Sequence, residues 1–218
     1  MDAAGPGLQS LTIVRHGEST ANAARDTSAE EFITGTRDAD VPLTELGAAQ
    51  AAATGKRLAE FEPGFDLVVC SPYARTRETA RIALGFPTAP PVQYDERVRD
   101  REPGVLFGLT RIGIQRRYPE EYRAMQRVGG FYHRPAGGES WPDVALRLRA
   151  VLREMHGHAL VFTHDIAIVL TRYIFGDLDE AEISSQTTAQ VRNASITRWE
   201  RTDSGMRLAV YNDTAHLM

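Results

Sequence analysis

Three short apolar segments along the chain predict buried β-strands. They read LQSLTIV, FDLVVC and ALVFT, at residues 8–14, 65–70 and 159–163. Segments of this length that are rich in Val, Leu and Ile are typical of strands covered on both faces of a sheet. Two further segments, residues 195–200 and 206–211, flank a turn at residues 203–205 and predict a closing hairpin.

Helical patterns alternate with these strands. The Ala-rich segment 44–60 predicts a helix, because Thr44 is a favourable N-cap and Pro63-Gly64 ends the pattern. Further helices are predicted at residues 72–84, 110–128 with a break at Pro119, 142–156 and 166–175. Strands that alternate with helices indicate an α/β protein built on a layered sheet. We therefore predict one domain over residues 1–218, with residues 1–7 as a flexible tail.

Composition and charge exclude several classes of protein. The 218 residues carry a net charge of −4 at pH 7 and a single cysteine, Cys70. This balance disfavours a nucleic-acid partner, and no apolar run reaches the ~20 residues that a membrane span needs. The first ten residues lack the basic and apolar regions of a signal peptide, so we predict a cytoplasmic protein. Lys56 is the one lysine among 25 basic residues, which we attribute to a GC-rich bacterial genome.

Basic side chains follow the three predicted central strands. Arg15 and His16 follow the first strand, Arg75 lies shortly after the second, and His164 follows the third. Ligands of open α/β sheets bind at the carboxyl ends of strands, so parallel neighbours would bring these four side chains together. Guanidinium groups bind phosphoryl oxygens in a bidentate way, and an imidazole can attack phosphorus as a nucleophile. The pattern therefore predicts a site for phosphoryl chemistry.

Five ordered motifs extend this interpretation along most of the chain. They are LTIVRHGES at residues 11–19, DVPLTELG at 40–47, SPYARTRETA at 71–80, GGES at 137–140 and VFTH at 161–164. Together they resemble the signature segments of the histidine phosphatase superfamily, also called phosphoglycerate mutase-like proteins. The resemblance implies a three-layer α/β/α sandwich with a mainly parallel central sheet.

The resemblance also implies a role for each residue of the site. His16 would be the nucleophile that carries the phosphoryl group. Arg15, Arg75 and His164 would bind the phosphoryl oxygens and stabilise their charge in the transition state. Asn22 matches an asparagine that contacts the same phosphate. No metal ion and no cofactor is implied, because the arginines and histidines supply the positive charge that a metal would otherwise give.

Two carboxyl groups compete for the role of proton donor. The family pattern places a glutamate in a segment like LRERDxG, and residues 98–104 read VRDREPG. Asp100 takes the donor position with a side chain shorter by one methylene, and Glu102 points to the same face of an extended segment. Asp165 follows His164 where many relatives have glycine. It either hydrogen-bonds in the site or favours the start of the next helix.

The combined pattern predicts a phosphomonoester hydrolase that acts on a small phosphorylated metabolite through a phosphohistidine on His16. One alternative is a cofactor-dependent phosphoglycerate mutase, which passes the phosphoryl group to a second hydroxyl. The other is a non-catalytic module that binds phosphorylated ligands, although a pure binder has no need of a nucleophile. Six arginines between Arg111 and Arg134 form either a lid that recognises anionic substrate or the solvated face of helices. The sequence leaves the oligomeric state open, a homodimer included.

Overall fold

Six strands form one sheet in the computed structural model, which describes residues 4–85, 89–185 and 191–218. They are β1 Leu8–Arg15, β2 Leu67–Cys70, β3 Val92–Tyr94, β4 Gly157–Thr163, β5 Ile196–Thr202 and β6 Gly205–Asp213. Their order across the sheet is β3-β2-β4-β1-β5-β6. The first four of these are parallel, whereas β5 and β6 run antiparallel at one edge. The predicted mainly parallel sheet and the closing hairpin are therefore confirmed.

Eight α-helices are present in the described part of the chain. They are α1 Thr20–Thr27, α2 Glu45–Leu58, α3 Ala74–Ala83, α4 Arg111–Arg117, α5 Pro119–Val128, α6 Trp141–Glu154, α7 Asp165–Ile174 and α8 Glu180–Ser185. Thr44 caps α2 by accepting a hydrogen bond from the Gly47 N–H, and the Ser140 hydroxyl caps α6 in the same way. Within the described ranges, no helix combines the length and the apolar character that crossing a bilayer requires.

Alternate residues of the central strands face two separate cores, so the sheet is the middle of three layers. Leu11 and Ile13 of β1 belong to a core with residues of α6 and α7. Val14 of the same strand belongs to a second core with residues of α2 and α3. Strands β2 and β4 alternate in the same manner. The expected α/β/α sandwich is confirmed, and its parallel strands are apolar on both faces for this reason.

The structure adds elements that hydrophobic patterning did not predict. The segment 92–104 begins with the edge strand β3, and two 3₁₀ turns follow, at Glu96–Val98 and Gly104–Leu106. The polar segment 19–40 has no clear period and indicates only a loop or a short helix, and it contains α1 and a 3₁₀ turn at Asp38–Asp40. These elements are short or polar, so they lack the repeating apolar positions that would indicate them.

The prediction of a flexible tail is wrong for residues 4–7. Ala4 is buried in the core that includes α6. The Gly5 N–H donates to the Leu152 carbonyl at 3.0 Å, and its carbonyl accepts from the Arg201 guanidinium at 2.7 Å. These long-range bonds attach the segment to the domain, and no local pattern could indicate them. Residues 1–3 of the expected tail lie outside the described residues.

Candidate active site

Two histidines meet at the carboxyl ends of adjacent parallel strands. Arg15, the last residue of β1, is in register with Thr163, the last residue of β4. The His16 N–H donates to the Thr163 carbonyl at 3.0 Å, so the ladder continues into the site. The ring centroids of His16 and His164 are 5.1 Å apart. The sheet register therefore brings together the two histidines that follow separate strands in the sequence.

The surroundings of His16 prepare its ring for nucleophilic attack. Its Nδ1 lies 2.7 Å from the Gly17 carbonyl oxygen. A carbonyl can only accept, so Nδ1 carries the proton and Nε2 keeps its lone pair. Burial and the charges of Arg75 and Arg15 lower the pKa of His16 well below its ordinary value. The ring is therefore neutral near pH 7, as a nitrogen nucleophile must be.

His164 lies beneath the surface of the site and is fully buried. Its Nε2 is 2.8 Å from the Ser71 hydroxyl and 3.2 Å from the Thr76 hydroxyl. Its Nδ1 is 3.3 Å from Oδ2 of Asp100. Burial lowers the pKa of His164, and the Arg75 charge acts in the same direction against the opposing effect of Asp100. His164 therefore lies between the hydroxyls of Ser71 and Thr76, which follow β2, and the carboxylate of Asp100.

Arg75 is held between two carboxylates. Its NH1 lies 2.9 Å from Oδ1 of Asp38, and its NH2 lies 2.9 Å from Oδ2 of Asp100. NH1 also donates to the Asp38 carbonyl at 2.6 Å. The guanidinium is almost completely buried, so these contacts supply the compensation that a buried charge requires. The structure thus places Asp38, which the sequence motifs did not indicate, beside Arg75, a residue predicted to bind phosphate.

The two carboxylates that share Arg75 differ in their acidity. Burial raises the pKa of Asp38 to about 6, with a further contribution from the negative charge of Asp100, although Arg75 acts in the opposite direction. Burial would also raise the pKa of Asp100, but His164 and Arg75 hold it well below its usual range. Without a ligand, Asp100 is therefore ionised, whereas Asp38 takes up a proton in mildly acidic solution.

Arg15 reaches the same site from β1 and pairs with Asp165. Its NH2 lies 3.0 Å from Oδ2 of Asp165, and its NH1 donates to the Val191 carbonyl. The Nε is buried and has no hydrogen-bond partner in the described structure. Asp165 also accepts from the Ile166 N–H at 2.7 Å, so it contacts the site and favours the start of α7. Both of the roles considered for Asp165 are therefore present together.

Asn22 and Glu102 have different relations to the site. Asn22 lines the cavity, but its Oδ1 caps α1 by accepting from the Ser19 N–H at 3.1 Å and also accepts from Nδ2 of Asn193. Glu102 does not line the cavity, and its Oε1 accepts from the Gly104 N–H at 3.1 Å. The extended segment therefore presents Asp100, and not Glu102, to the cavity beside Arg75 and His164.

A network of side chains holds the Asp100 segment in place. Glu139 accepts from Arg99 NH1 at 2.6 Å and from Arg147 Nε at 3.0 Å. Arg147 in turn donates to the backbone carbonyls of Arg99 and Asp100, each at 2.8 Å. The GGES motif contributes Glu139 and the following helix contributes Arg147. The motif therefore positions the Asp100 backbone, a role that the residue types did not suggest.

Two glycines let helix α2 approach the His16 loop. A Cβ on Gly17 would overlap the Gly47 carbonyl, and a Cβ on Gly47 would overlap the Glu18 carbonyl. The Thr44 hydroxyl also donates to a carboxylate oxygen of Glu18 at 2.8 Å. The loop after His16 and the start of α2 therefore pack backbone against backbone.

The cavity above His16 has a volume of about 450 Å³. Its charged lining consists of Arg15, Arg25, Arg75, Arg101, Asp38, Asp100 and Asp165.

The arginines between Arg111 and Arg134 do not belong to the described lining of this cavity. Arg116 and Arg117 pair with Glu30 and Glu31 instead. These contacts favour a structural role and a solvated helix face for the arginines over a lid.

Among the residues described, no group of three His, Cys, Asp or Glu is arranged to hold a metal ion.

Similar proteins include both phosphatases and mutases. An uncharacterized phosphatase of Bacillus subtilis is 28% identical over 211 residues, which are 96% of this chain and 97% of that protein. A 2,3-bisphosphoglycerate-dependent phosphoglycerate mutase of Rhizobium etli is 33% identical over 163 residues, or 71% of this chain and 73% of that enzyme. The solved structure of a mycobacterial glucosyl-3-phosphoglycerate phosphatase with VO3 has a TM-score of 0.74 and 27% identity, covering 94% of this chain and 100% of that one.

A match to a whole family accompanies these pairwise similarities. A family model described as histidine phosphatase superfamily (branch 1) matches residues 11–214. That range includes every motif quoted above and the complete set of buried site residues. Together with the relatives, it supports an enzyme that acts on phosphate esters by hydrolysis or phosphoryl transfer. The chain belongs to the histidine phosphatase superfamily.

Proposed function

We propose that this protein is a phosphomonoester hydrolase that forms a phosphohistidine on His16. The observation that carries the proposal is the state of the His16 ring. Its Nδ1 proton is fixed on the Gly17 carbonyl, and its pKa is lowered by burial and by nearby arginines. A neutral imidazole whose Nε2 lone pair is free, beside two buried guanidiniums, suits attack on a phosphoryl group more than simple binding of one.

The first step transfers the phosphoryl group to the protein. A bond forms between His16 Nε2 and phosphorus while the bond from phosphorus to the ester oxygen breaks. Arg15, Arg75 and Asn22 line the cavity and bind the phosphoryl oxygens. His164, buried beneath them, adds to the stabilisation of the transition state through Asp100, which its Nδ1 faces at 3.3 Å. Arg15 and Arg75 pair with aspartates in the ligand-free protein, so the phosphoryl group replaces or shares those partners.

The leaving alkoxide takes its proton from Asp100 in this proposal. Asp100 lines the cavity and contacts both Arg75 and His164, whereas Glu102 is turned away to Gly104. The charge of a bound phosphoryl group acts on Asp100 as a nearby like charge and raises its pKa, which allows the carboxyl to hold that proton. In the second step water attacks phosphorus and gives a proton to the same carboxylate. The bond from Nε2 to phosphorus breaks, and inorganic phosphate leaves.

The contacts of the arginines in residues 111–134 favour hydrolysis over a mutase reaction. A mutase must keep water away from its phosphohistidine until a second hydroxyl arrives. The arginines of residues 111–134 would have to close over the site for this purpose, yet Arg116 and Arg117 are held by acidic partners elsewhere. The resemblance to a phosphoglycerate mutase keeps that reaction as the second candidate.

The test is a phosphate-release assay of the purified protein against a panel of small phosphomonoesters. We expect release of phosphate and, after brief reaction with a labelled substrate, an acid-labile and base-stable adduct. Vanadate should inhibit, since the mycobacterial relative was solved with VO3. A parallel assay supplies 3-phosphoglycerate with a trace of the bisphosphorylated primer. Formation of 2-phosphoglycerate faster than phosphate release from every monoester would establish the mutase instead.

A further inference from the structure

Arg15 uses its hydrogen-bond donors differently from other arginines of this chain. Arginine forms its strongest ion pairs through two parallel N–H bonds to the two oxygens of one anion. Arg37 binds Asp40 in this way, since its Nε and NH2 donate to separate carboxylate oxygens at 2.7 and 3.0 Å. Arg81 binds Glu78 through the same two groups, at 2.9 and 2.7 Å. Nε and NH2 therefore form the edge of a guanidinium that suits a bidentate oxyanion.

On Arg15 this edge is only half filled. NH2 lies 3.0 Å from Oδ2 of Asp165, but Nε is buried and has no hydrogen-bond partner in the described structure. The other carboxylate oxygen, Oδ1, accepts from the Ile166 N–H at 2.7 Å instead. NH1 donates to the Val191 carbonyl, which keeps the guanidinium in place. A buried N–H without an acceptor is costly, and an arriving oxyanion would satisfy it.

The two members of this ion pair differ in their freedom to move. The Arg15 side chain is 10% exposed, whereas the Asp165 side chain is 46% exposed. Both residues line the cavity above His16. The carboxylate can therefore turn towards solvent at small cost, while the buried guanidinium stays in the site. An oxyanion that enters the cavity thus meets a guanidinium whose counter-ion is replaceable.

We propose that Asp165 competes with the phosphoryl group for Arg15 and thereby determines how tightly the site holds inorganic phosphate. The phosphoryl group binds Nε and NH2 together and displaces the Asp165 carboxylate from NH2. After hydrolysis the carboxylate returns to NH2, and this recovered contact favours the departure of phosphate. The step of product release rests on the proposed function, but the competition itself can be measured by binding alone.

The experiment measures the affinity for inorganic phosphate by calorimetry in the wild type and in Asp165→Asn. Asparagine keeps the side-chain oxygen that accepts from the Ile166 N–H and removes the charge that competes for Arg15. We expect Asp165→Asn to bind phosphate about tenfold more tightly, because the ligand no longer has to break a charge-assisted contact. Asp165→Glu should keep the affinity within about threefold of the wild type, because the carboxylate remains.

Glu120→Gln is the matched control for the loss of a negative charge. Glu120 is an exposed acid in the first turn of α5, pairs with Arg123 and is not among the described residues that line the cavity. Its replacement should leave the affinity for phosphate unchanged. Equal tightening in Glu120→Gln would assign the effect to net charge and overturn the proposal. Unchanged or weaker binding in Asp165→Asn would also overturn it, since a residue that only favours the start of α7 gives that result.

Turnover separates this inference from the proposed function. In Asp165→Asn the inhibition constant of phosphate and the KM of a phosphomonoester should both fall about tenfold without a rise in kcat, since both ligands gain the same contact. Tighter phosphate binding by Asp165→Asn, with no hydrolysis by the wild type, would retain the competition and reject the hydrolase. Hydrolysis by the wild type, with equal phosphate affinities in the two proteins, would retain the hydrolase and reject the competition. Loss of turnover in Asp165→Asn without tighter phosphate binding would make Asp165 a catalytic group instead.

Discussion

The two walls of the cavity are held by different forces. The strand-end wall, which carries Arg15, His16 and His164, is fixed by the backbone hydrogen bonds of parallel strands. The carboxylate wall, residues 97–104 with Asp100 and Arg101, has no such ladder. It is held by the side chains of Glu139 and Arg147, which bond to its backbone and to Arg99. The nucleophile therefore depends on the sheet, whereas the proposed proton donor depends on a few ion pairs.

Because the two walls are held by different bonds, a single substitution is expected to affect them differently. Substitutions of His16 other than proline keep the hydrogen bond from its N–H to the Thr163 carbonyl, so they change the reactive group of the strand-end wall and leave its backbone in place. The carboxylate wall can be displaced from a distance, because three of its backbone carbonyls, those of residues 97, 99 and 100, accept from the Arg147 guanidinium. Four substitutions test this contrast, beginning with the largest expected effect.

His16→Ala removes the nucleophile from the strand-end wall. We expect kcat/KM to fall by about ten-thousandfold or more, because the covalent route is lost and no neighbour replaces it. The folded structure and the unfolding midpoint should change little. His156→Ala, which removes an exposed histidine outside the cavity, is the matched control and should retain full activity. Appreciable turnover in His16→Ala would contradict the phosphohistidine route.

Asp100→Asn removes the proposed proton donor from the carboxylate wall. Alkyl phosphates should be hydrolysed about a thousandfold more slowly, since their alkoxides must be protonated as they leave. Aryl phosphates should be affected far less, because a phenolate leaves without a proton. Glu102→Gln is the matched variant and should leave both substrates nearly unchanged. If Glu102→Gln shows the dependence on leaving group and Asp100→Asn does not, the donor is Glu102.

Arg147→Met breaks the network that holds the carboxylate wall. We expect the free energy of unfolding to fall by about 2–3 kcal/mol, because the partly buried Glu139 loses one partner and three backbone carbonyls lose a donor. Activity on alkyl phosphates should fall more than activity on aryl phosphates, as in Asp100→Asn. Arg117→Met breaks an ion pair that is much more exposed and should cost less than about 1 kcal/mol in urea unfolding. Equal losses in the two variants would contradict a special role for the network.

Asp38→Asn tests the acidity of the carboxyl that shares Arg75 with Asp100. The pKa of Asp38 is about 6 in the folded protein, above the 3.8 of an ordinary aspartate. The stability that this group contributes is therefore complete below about pH 4 and is lost as the pH rises through 6. The difference in unfolding free energy between Asp38→Asn and the wild type should therefore change with pH. As the pH rises from about 4 to 8, it should move by about 1–2 kcal/mol in favour of the variant.

Asp40→Asn is the control for this titration in the same turn. A hydrogen bond from Arg37 lowers the pKa of the exposed Asp40, so its contribution to stability has the opposite sign. Replacing it should produce a small change in the other direction, measured in the same urea titrations. A stability difference for Asp38→Asn that does not vary with pH would contradict the raised pKa of Asp38.

The strand-end wall was predictable from sequence, and the carboxylate wall was predictable only in part. Arg15, His16, Arg75 and His164 follow buried strands or lie within motifs, and the parallel topology brings them together. Asp38 was missed because its contact with Arg75 joins a short 3₁₀ turn to α3, with no periodic pattern in between. The role of Glu139 was missed for a related reason, since its ion pair with Arg99 spans 40 residues of chain. Such contacts depend on the completed packing and leave no local signal.

The close packing of Gly17 on Gly47 has a consequence for how new specificities arise on this scaffold. Neither position accepts a side chain, because each would overlap a backbone carbonyl that has no room to move. Mutation at the base of the site therefore yields proteins that fold poorly, whatever the substrate. Diversification is left to the mouth of the cavity, where Phe32, Arg101 and Phe107 project from loops and turns. Divergence of substrate preference should accordingly accumulate at these positions while the reaction itself stays the same.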